Sequence, residues 1–258
     1  MKRALEVPAH LDRSQWVGRW DRMQECYLVD RRERLALLAW LVRVTQPAPC
    51  VVLDLGCGTG SVMATVLEAM PEAHAVGIDL DERLLILAEH RLEGFGRRAR
   101  LVCRDIRDPA AFGDLESVDA VLSATSLHWL AAEELAELYG RIAALLAPGG
   151  LFANADHVGS THAALQDGWE ARRRGELEPV QRRQAASDSP WEGFWQEYSR
   201  ALGMENADGY RRAVCGAWRG VEQGLPLAWH LDALRTAGLS SVECFWRRDC
   251  DAIYGGFR

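Results

Sequence analysis

Between residues 51 and 156 the chain alternates short apolar runs with stretches of helical period. The runs fall at 51–55, 75–79, 100–103, 120–123 and 151–155 and are rich in Val, Ile, Leu and Ala. Near-continuous apolar runs of this length mark strands buried on both faces. Segments 61–70, 82–92 and 133–146 repeat apolar residues at helical spacing and read as helices. Strand and helix in alternation predict a parallel sheet covered on both faces, with right-handed crossovers.

The flanks follow other patterns. Residues 11–45 read as helical: Ser14 is a candidate cap, and Trp16, Trp20, Met23 and Tyr27 recur at three- and four-residue spacing, followed by Leu35, Leu38, Leu41 and Val42. Pro47 and Pro49 then stop the helix. The aromatic stripe is either an edge packed on the domain or a lid. Residues 157–226 are rich in Arg, Trp and Gly, with turn signals at Glu178-Pro179 and Ser187-Asp188-Ser189-Pro190 and helices expected over 161–174, 191–202 and 207–223. This insertion would stand over the carboxyl end of the sheet as a substrate cap. Its tryptophans either line a pocket or fill the seam beneath. The tail reads as a helix over 228–237 closed by Gly238, then strands at 242–248 and 251–257. The expected fold class is α/β, a Rossmann-like doubly wound sheet with N-terminal helices and a helical cap insertion. The division is 1–46 N-terminal lid, 47–156 core, 157–226 cap, and 227–258 helix and hairpin completing the core.

The chemistry gathers where the first strand ends. VVLDLGCGTG places Asp54 before Gly56, Gly58 and Gly60, and a helix starts at Ser61. A bare loop on a helix N-terminus is a floor for a polar ligand. Its spacing is G-x-G-x-G, one residue shorter than the dinucleotide fingerprint. Asp54 would repel a pyrophosphate but suits an ammonium or sulfonium, which sets aside a nicotinamide-dependent oxidoreductase. Asp79 closes the second strand, where a ribose-binding acid belongs.

With VVLDLGCGTG, GIDLDERLL, CRDI, VDAVLSATSLHWL and LLAPGGLF in order from Val51 to Asp156, and HLDALRTAGLSSVECFWRRDCDAIYGG at the end, the sequence resembles the class I S-adenosylmethionine-dependent methyltransferases, of the small-molecule type that includes trans-aconitate and juvenile-hormone-acid methyltransferases. The resemblance implies a mostly parallel sheet with an antiparallel C-terminal strand. It also implies S-adenosylmethionine as cofactor, with S-adenosylhomocysteine as product, and helices before the first motif that close over the donor. The expected cofactor contacts are Asp54, Gly56, Cys57, Gly58 and Gly60, with Asp79 and Leu80 at the ribose, Asp105 and Ile106 at the adenine, and Ser123 after the fourth strand. His128 is the candidate base, an imidazole titrating near about pH 6.5 in water. Trp129, His157 and Tyr27 are candidate substrate contacts.

Charge and composition narrow the partners. Of 258 residues, 48% are hydrophobic, enough for a sizeable core, and the net charge of −7 gives no global attraction for nucleic acid. Arg172-Arg173-Arg174 and Arg182-Arg183 could track RNA phosphates, but interleaved Glu170, Glu176 and Glu178 read as a solvated face. No apolar run reaches a membrane span, no signal-peptide core opens the chain, and the cytoplasm is the expected location. Seven scattered cysteines without a C-x-x-C pair indicate neither zinc nor a disulfide framework, and no metal is expected. The leading reading is a methyltransferase acting on an O, N or C nucleophile of a small molecule, as monomer or homodimer. The alternatives are an RNA methyltransferase and a cofactor-binding protein or modified-donor enzyme that transfers no methyl group.

Overall fold

The computed structural model describes residues 5–113, 115–184, 189–204, 206, 209–210, 214, 219–220 and 224–258. The helix expected over 207–223 and the turn at Ser187-Asp188 lie mostly or wholly outside the described residues.

Five strands form the parallel part of the sheet: β1 (Val51–Leu55), β2 (His74–Asp79), β3 (Ala99–Cys103), β4 (Val118–Ala124) and β5 (Leu146–His157). The tail adds β6 (Ser240–Arg248) and β7 (Asp251–Phe257), and the order is β3-β2-β1-β4-β5-β7-β6. β7 runs antiparallel to both β5 and β6, so the hairpin closes the sheet with one reversed strand. That order reverses direction beside β1, the switch point where a doubly wound sheet opens a crevice at its carboxyl edge.

The helices between strands are α3 (Ser61–Ala69), α4 (Glu82–Leu92) and α5 (Ala132–Leu145). Two apolar layers sandwich the sheet. One joins Val52, Ala120 and Ala153 to α3; the other joins Leu53, Val121 and Phe152 to α5. Pro148-Gly149-Gly150 form a bulge within β5, because pairing with β4 jumps from Leu146 to Leu151. The Gly149 N–H donates to the Arg258 carbonyl at 2.9 Å, pinning the chain end to that bulge.

The N-terminal segment is two helices, α1 (Arg13–Glu25) and α2 (Arg31–Thr45), broken where Asp30 takes φ 55°. Asp12, not Ser14, caps α1: its carboxylate accepts from the Gln15 N–H at 3.0 Å. An aspartate two residues ahead outcompetes serine because the first turn offers its N–H groups to the residue already outside the helix. α2 packs Leu38, Leu41 and Val42 on α3. α1 packs Trp16, Trp20 and Met23 against Phe194, Trp195 and Tyr198 of α7 (Pro190–Ala201). The aromatic stripe therefore fills the seam between the N-terminus and the segment after β5.

α6 (Ala163–Gln184) runs through Glu178-Pro179, where a turn was expected. Contacts on both sides of the proline override its local preference. Arg173 donates to the Tyr27 carbonyl, Leu177 is buried, and Gln181 donates to the Cys26 carbonyl. α8 (Leu227–Thr236) ends as expected: Gly238 takes φ 97°, and the Leu239 N–H reaches back to the Leu234 carbonyl at 3.1 Å. Among the described residues no helix is long and apolar enough to cross a membrane, and no group of three or more His, Cys, Asp or Glu could hold a metal ion.

Candidate active site

The carboxyl ends of β1, β2, β4 and β5 open into one cavity of about 590 Å³, walled on the far side by α1, α2, α6 and α7. That volume lies within the range of about 300–1,000 Å³ typical of small-molecule sites. The glycine loop forms part of its floor. Gly56 takes φ 66°, and a Cβ there would sit 1.8 Å from Ser126 Oγ, so only glycine fits against the loop after β4. Gly60 does not line the cavity. A Cβ there would press on Leu92, so this glycine lets α3 start against α4.

Two acids stand beside the loop. Asp79 is held by backbone: Gly58 N–H donates to Oδ2 at 2.7 Å and Asp81 N–H to Oδ1 at 2.9 Å. Burial nevertheless raises its pKa to about 6. Asp54 is buried with no hydrogen-bond partner on either oxygen among the described residues. Burial first, and the charge of Asp79 second, push its pKa up to about 8. A buried, unpartnered carboxylate disfavours folding wherever it must ionise. The folded state binds the Asp54 proton up to about pH 8, whereas an unfolded aspartate releases it near about pH 3.9, so its contribution to stability falls as pH rises through that window. Asp54→Asn is accordingly expected to raise the melting temperature of the ligand-free protein at pH 8. A lowered value in differential scanning calorimetry would contradict the account.

The remaining expected residues are placed as follows. Cys57, Leu80 and Ile106 line the cavity. Asp105 lines it too, but its carboxylate is engaged by Arg107 Nη2 at 2.6 Å and Nε at 3.0 Å, which holds it below the ordinary range against the effect of burial. Ser123 does not reach the cavity: it is fully buried, and its hydroxyl donates to the Leu55 carbonyl at 2.8 Å, tying β4 to β1. Tyr27, Trp129, His128 and His157 all line the cavity. Tyr27 Oη also accepts from the Trp191 N–H at 3.2 Å.

The two histidines differ in what their rings can do. Asp156, the residue before His157, is buried and accepts from His128 N–H, His128 Nδ1 and His157 N–H at 3.1, 2.6 and 2.9 Å. Burial alone would raise its pKa; the charge and hydrogen bond of His128, then His157, hold it well below the ordinary range. An ionised carboxylate only accepts, so His128 Nδ1 carries a proton, and in the neutral form of the ring the lone pair lies on Nε2. In His157, Nδ1 donates to Asp251 Oδ1 at 2.7 Å and Nε2 accepts from Arg173 Nη2 at 3.4 Å. Its lone pair is already used, and burial lowers its pKa. Only His128 is arranged to take a proton.

Asp156, Asp251, Arg34 and Arg173 carry this arrangement; none was assigned to the cavity from sequence, and Arg173 was read only as part of a basic run. Asp156 and Asp251 share a clue, since both lie at the end of the β5–β7 pairing that brings His157 opposite Asp251. Arg34 falls four residues before Leu38 on the apolar face of α2 and is buried there. Behind Asp79, Asp81 pairs with Arg83, whose guanidinium lies 4.1 Å above the Trp195 ring, linking the second strand end to α7.

Comparison with known proteins agrees with this geometry. Residues 52–150 match the family described as Methyltransferase domain. That stretch of the chain carries a methyltransferase domain. Trans-aconitate 2-methyltransferase of Acidovorax sp. (strain JS42) is 36% identical over 113 residues, 44% of this chain and 40% of that one. Malonyl-[acyl-carrier protein] O-methyltransferase of Methylococcus capsulatus is 32% identical over 133 residues, 50% of this chain and 46% of that one. The alignments thus span less than half of either relative. An O-methyltransferase family 2 protein from Planctomyces limnophilus, solved in complex with apigenin, superposes with a TM-score of 0.57 at 19% identity, covering 96% of this chain and 62% of its own. At that identity the methyltransferase shares the fold.

Proposed function

We propose that the protein transfers a methyl group from S-adenosylmethionine to a small-molecule acceptor held in the cavity. The observation that carries the reading is Asp54. Its two buried, unpartnered oxygens beside a bare glycine loop suit a cation once the carboxyl ionises, and the donor brings an ammonium and a sulfonium. When bound, the donor supplies an electrophilic methyl group that a nucleophile takes in one displacement, leaving a neutral thioether. Asp79 accepts from the ribose hydroxyls with lone pairs that its backbone donors leave open. Ile106 and Leu80 give the adenine an apolar wall. The chain otherwise positions and dries the site: alignment of nucleophile and methyl carbon is worth about 7–11 kcal/mol at best, and water exclusion helps a reaction that neutralises charge. A trans-aconitate methyltransferase among the relatives supports a small acceptor. Part of the basic run of α6 is engaged within the protein: Arg172 pairs with Glu176 and Asp249, Arg173 reaches Tyr27 and His157, and Arg182 pairs with Glu178. A cytoplasmic site of action belongs to the same proposal.

The test is incubation with methyl-labelled donor and a panel of small acids, phenols and amines, with calorimetry on S-adenosylhomocysteine alongside. Asp79→Ala is expected to weaken S-adenosylhomocysteine by about 1–3 kcal/mol, as a buried hydroxyl pair loses its acceptor. Unchanged affinity would remove Asp79 from the donor site.

A further inference from the structure

Five arginines line the cavity, and their carboxylate partners are unequally shared. Arg31 donates to Asp21 and Ser61, Arg83 to Asp81, and Arg107 to Asp105. Asp21 also receives Arg91, which stands off the cavity wall. Arg34 and Arg173 are left with one acid between them. Arg34 Nη1 lies 3.1 Å from Asp251 Oδ1, and Arg173 Nε lies 3.9 Å from Oδ2, beyond hydrogen-bond reach.

Each of the two guanidiniums keeps an unused donor. Arg34 Nη2 and Arg173 Nε are buried and have no hydrogen-bond partner among the described residues. The Arg34 side chain is 4% exposed, so water does not supply what the protein lacks. His157 sits between them as a neutral ring that bonds Asp251 on one side and Arg173 on the other, adding no negative charge. Asp156, the other acid beside His157, already spends its oxygens on His128 and on the His157 N–H. Two guanidinium N–H donors are therefore left without an acceptor, and a buried donor without one costs stability.

We propose that Arg34 and Arg173 bind a carboxylate of the methyl acceptor, and that this carboxylate is its anchor and not the group methylated. The inference rests on the methyl-transfer reading above. A planar fork of N–H donors matches a carboxylate, and with Asp251 and Asp156 close by a monoanion is repelled less than a phosphate monoester carrying about 1.5–2 charges. Guanidinium donors on its oxygens draw off the electron density that a displacement requires. The nucleophile is therefore a second group on the same molecule. His128 is close enough to meet it, its ring centre 5.1 Å from that of His157. The acceptor is a hydroxy acid or a dicarboxylic acid.

Wild-type protein saturated with S-adenosylhomocysteine is titrated with 4-hydroxybenzoate and succinate, with their amides, and with phenyl phosphate. At least one acid is expected to bind tenfold or more tighter than its amide and tighter than phenyl phosphate. Arg173→Gln, at a partly exposed position, is expected to erase that preference with S-adenosylhomocysteine affinity retained; Arg34→Gln repeats the test where it folds. With labelled donor, benzoate, which has no second nucleophile, is expected to accept no methyl group. Acids no better than amides, a preference for phenyl phosphate, a preference surviving Arg173→Gln, or methylation of benzoate would each overturn the anchor alone. Failure of S-adenosylhomocysteine to bind the wild type would overturn the donor reading and the anchor with it.

Discussion

S-Adenosylmethionine is expected to bind about tenfold more weakly for each pH unit below 8. The sign follows from Asp54. Without ligand its pKa is about 8, raised by burial and by Asp79, so at pH 7 the group holds a proton. A bound cation favours the carboxylate, and that proton must leave. One pH unit of proton release corresponds to about 1.4 kcal/mol. Between pH 8 and pH 6 the loss is therefore about a hundredfold. Near pH 6 Asp79 begins to titrate as well, the two acids ionise as a coupled pair, and the slope steepens. Calorimetry in two buffers of different ionisation enthalpy counts the proton directly: close to one released at pH 7, none at pH 9. S-Adenosylhomocysteine, which keeps the ammonium but lacks the sulfonium charge, shows which of the two Asp54 meets. Affinity flat from pH 6 to 8 would mean that Asp54 does not face the cation.

The layout of the sheet was legible because its strands obey a local rule. A strand buried on both faces must be apolar nearly throughout, and a helix covering it must repeat every three to four residues. β1 to β4 lie within two residues of their expected bounds for that reason, and β7 matches at both ends. The departures have non-local causes. Asp30 breaks one predicted helix into α1 and α2, and its partner Arg248 lies on β6, 218 residues away in sequence. α6 passes Pro179 because the chain around Cys26 and Tyr27 accepts hydrogen bonds from Arg173 and Gln181. Neither contact leaves a trace in a window of neighbouring residues.

The candidate site divides along the same line. Residues just past strand ends were readable, since topology alone puts them at one edge: Asp54, Gly56, Gly58, Asp79, Asp105, Ile106, His128 and His157 all line the cavity. Ser123 shows where that reasoning stops, because successive residues of a strand face opposite ways and one register step decides whether a hydroxyl meets ligand or backbone. Pairing was not readable. Which carboxylate orients which histidine depends on β7 entering between β5 and β6, which sets Asp251 opposite His157 and leaves Asp156 to His128. Arg34 and Arg173 come from helices more than a hundred residues apart and meet only through Asp251.

Asp156→Asn is expected to lower turnover of a hydroxyl acceptor by about 10²–10⁴-fold, the usual span of general-base catalysis, with S-adenosylhomocysteine affinity nearly unchanged. The carboxylate fixes the proton of His128 on Nδ1, and the open lone pair of Nε2 is what an arriving hydroxyl can use. An amide at 156 can donate as well as accept. If its NH₂ turns to the ring, Nδ1 must accept, the proton moves to Nε2, and the base is lost. If its oxygen turns to the ring, the NH₂ confronts the His128 backbone N–H, which now donates to Oδ2 at 3.1 Å. Either orientation disturbs the pair; the first removes the base outright. His128→Ala is expected to fall to the same level, and the double variant no further, because the two act as one unit. An acceptor whose nucleophile is already a carboxylate gives up no proton, and for it Asp156→Asn is expected to change turnover little. The contrast between the two acceptors is the diagnostic readout, since a loss of fold or of donor binding would depress both alike. Equal losses would make Asp156 a structural support, and an unaltered rate with the hydroxyl acceptor would remove His128 from the chemistry.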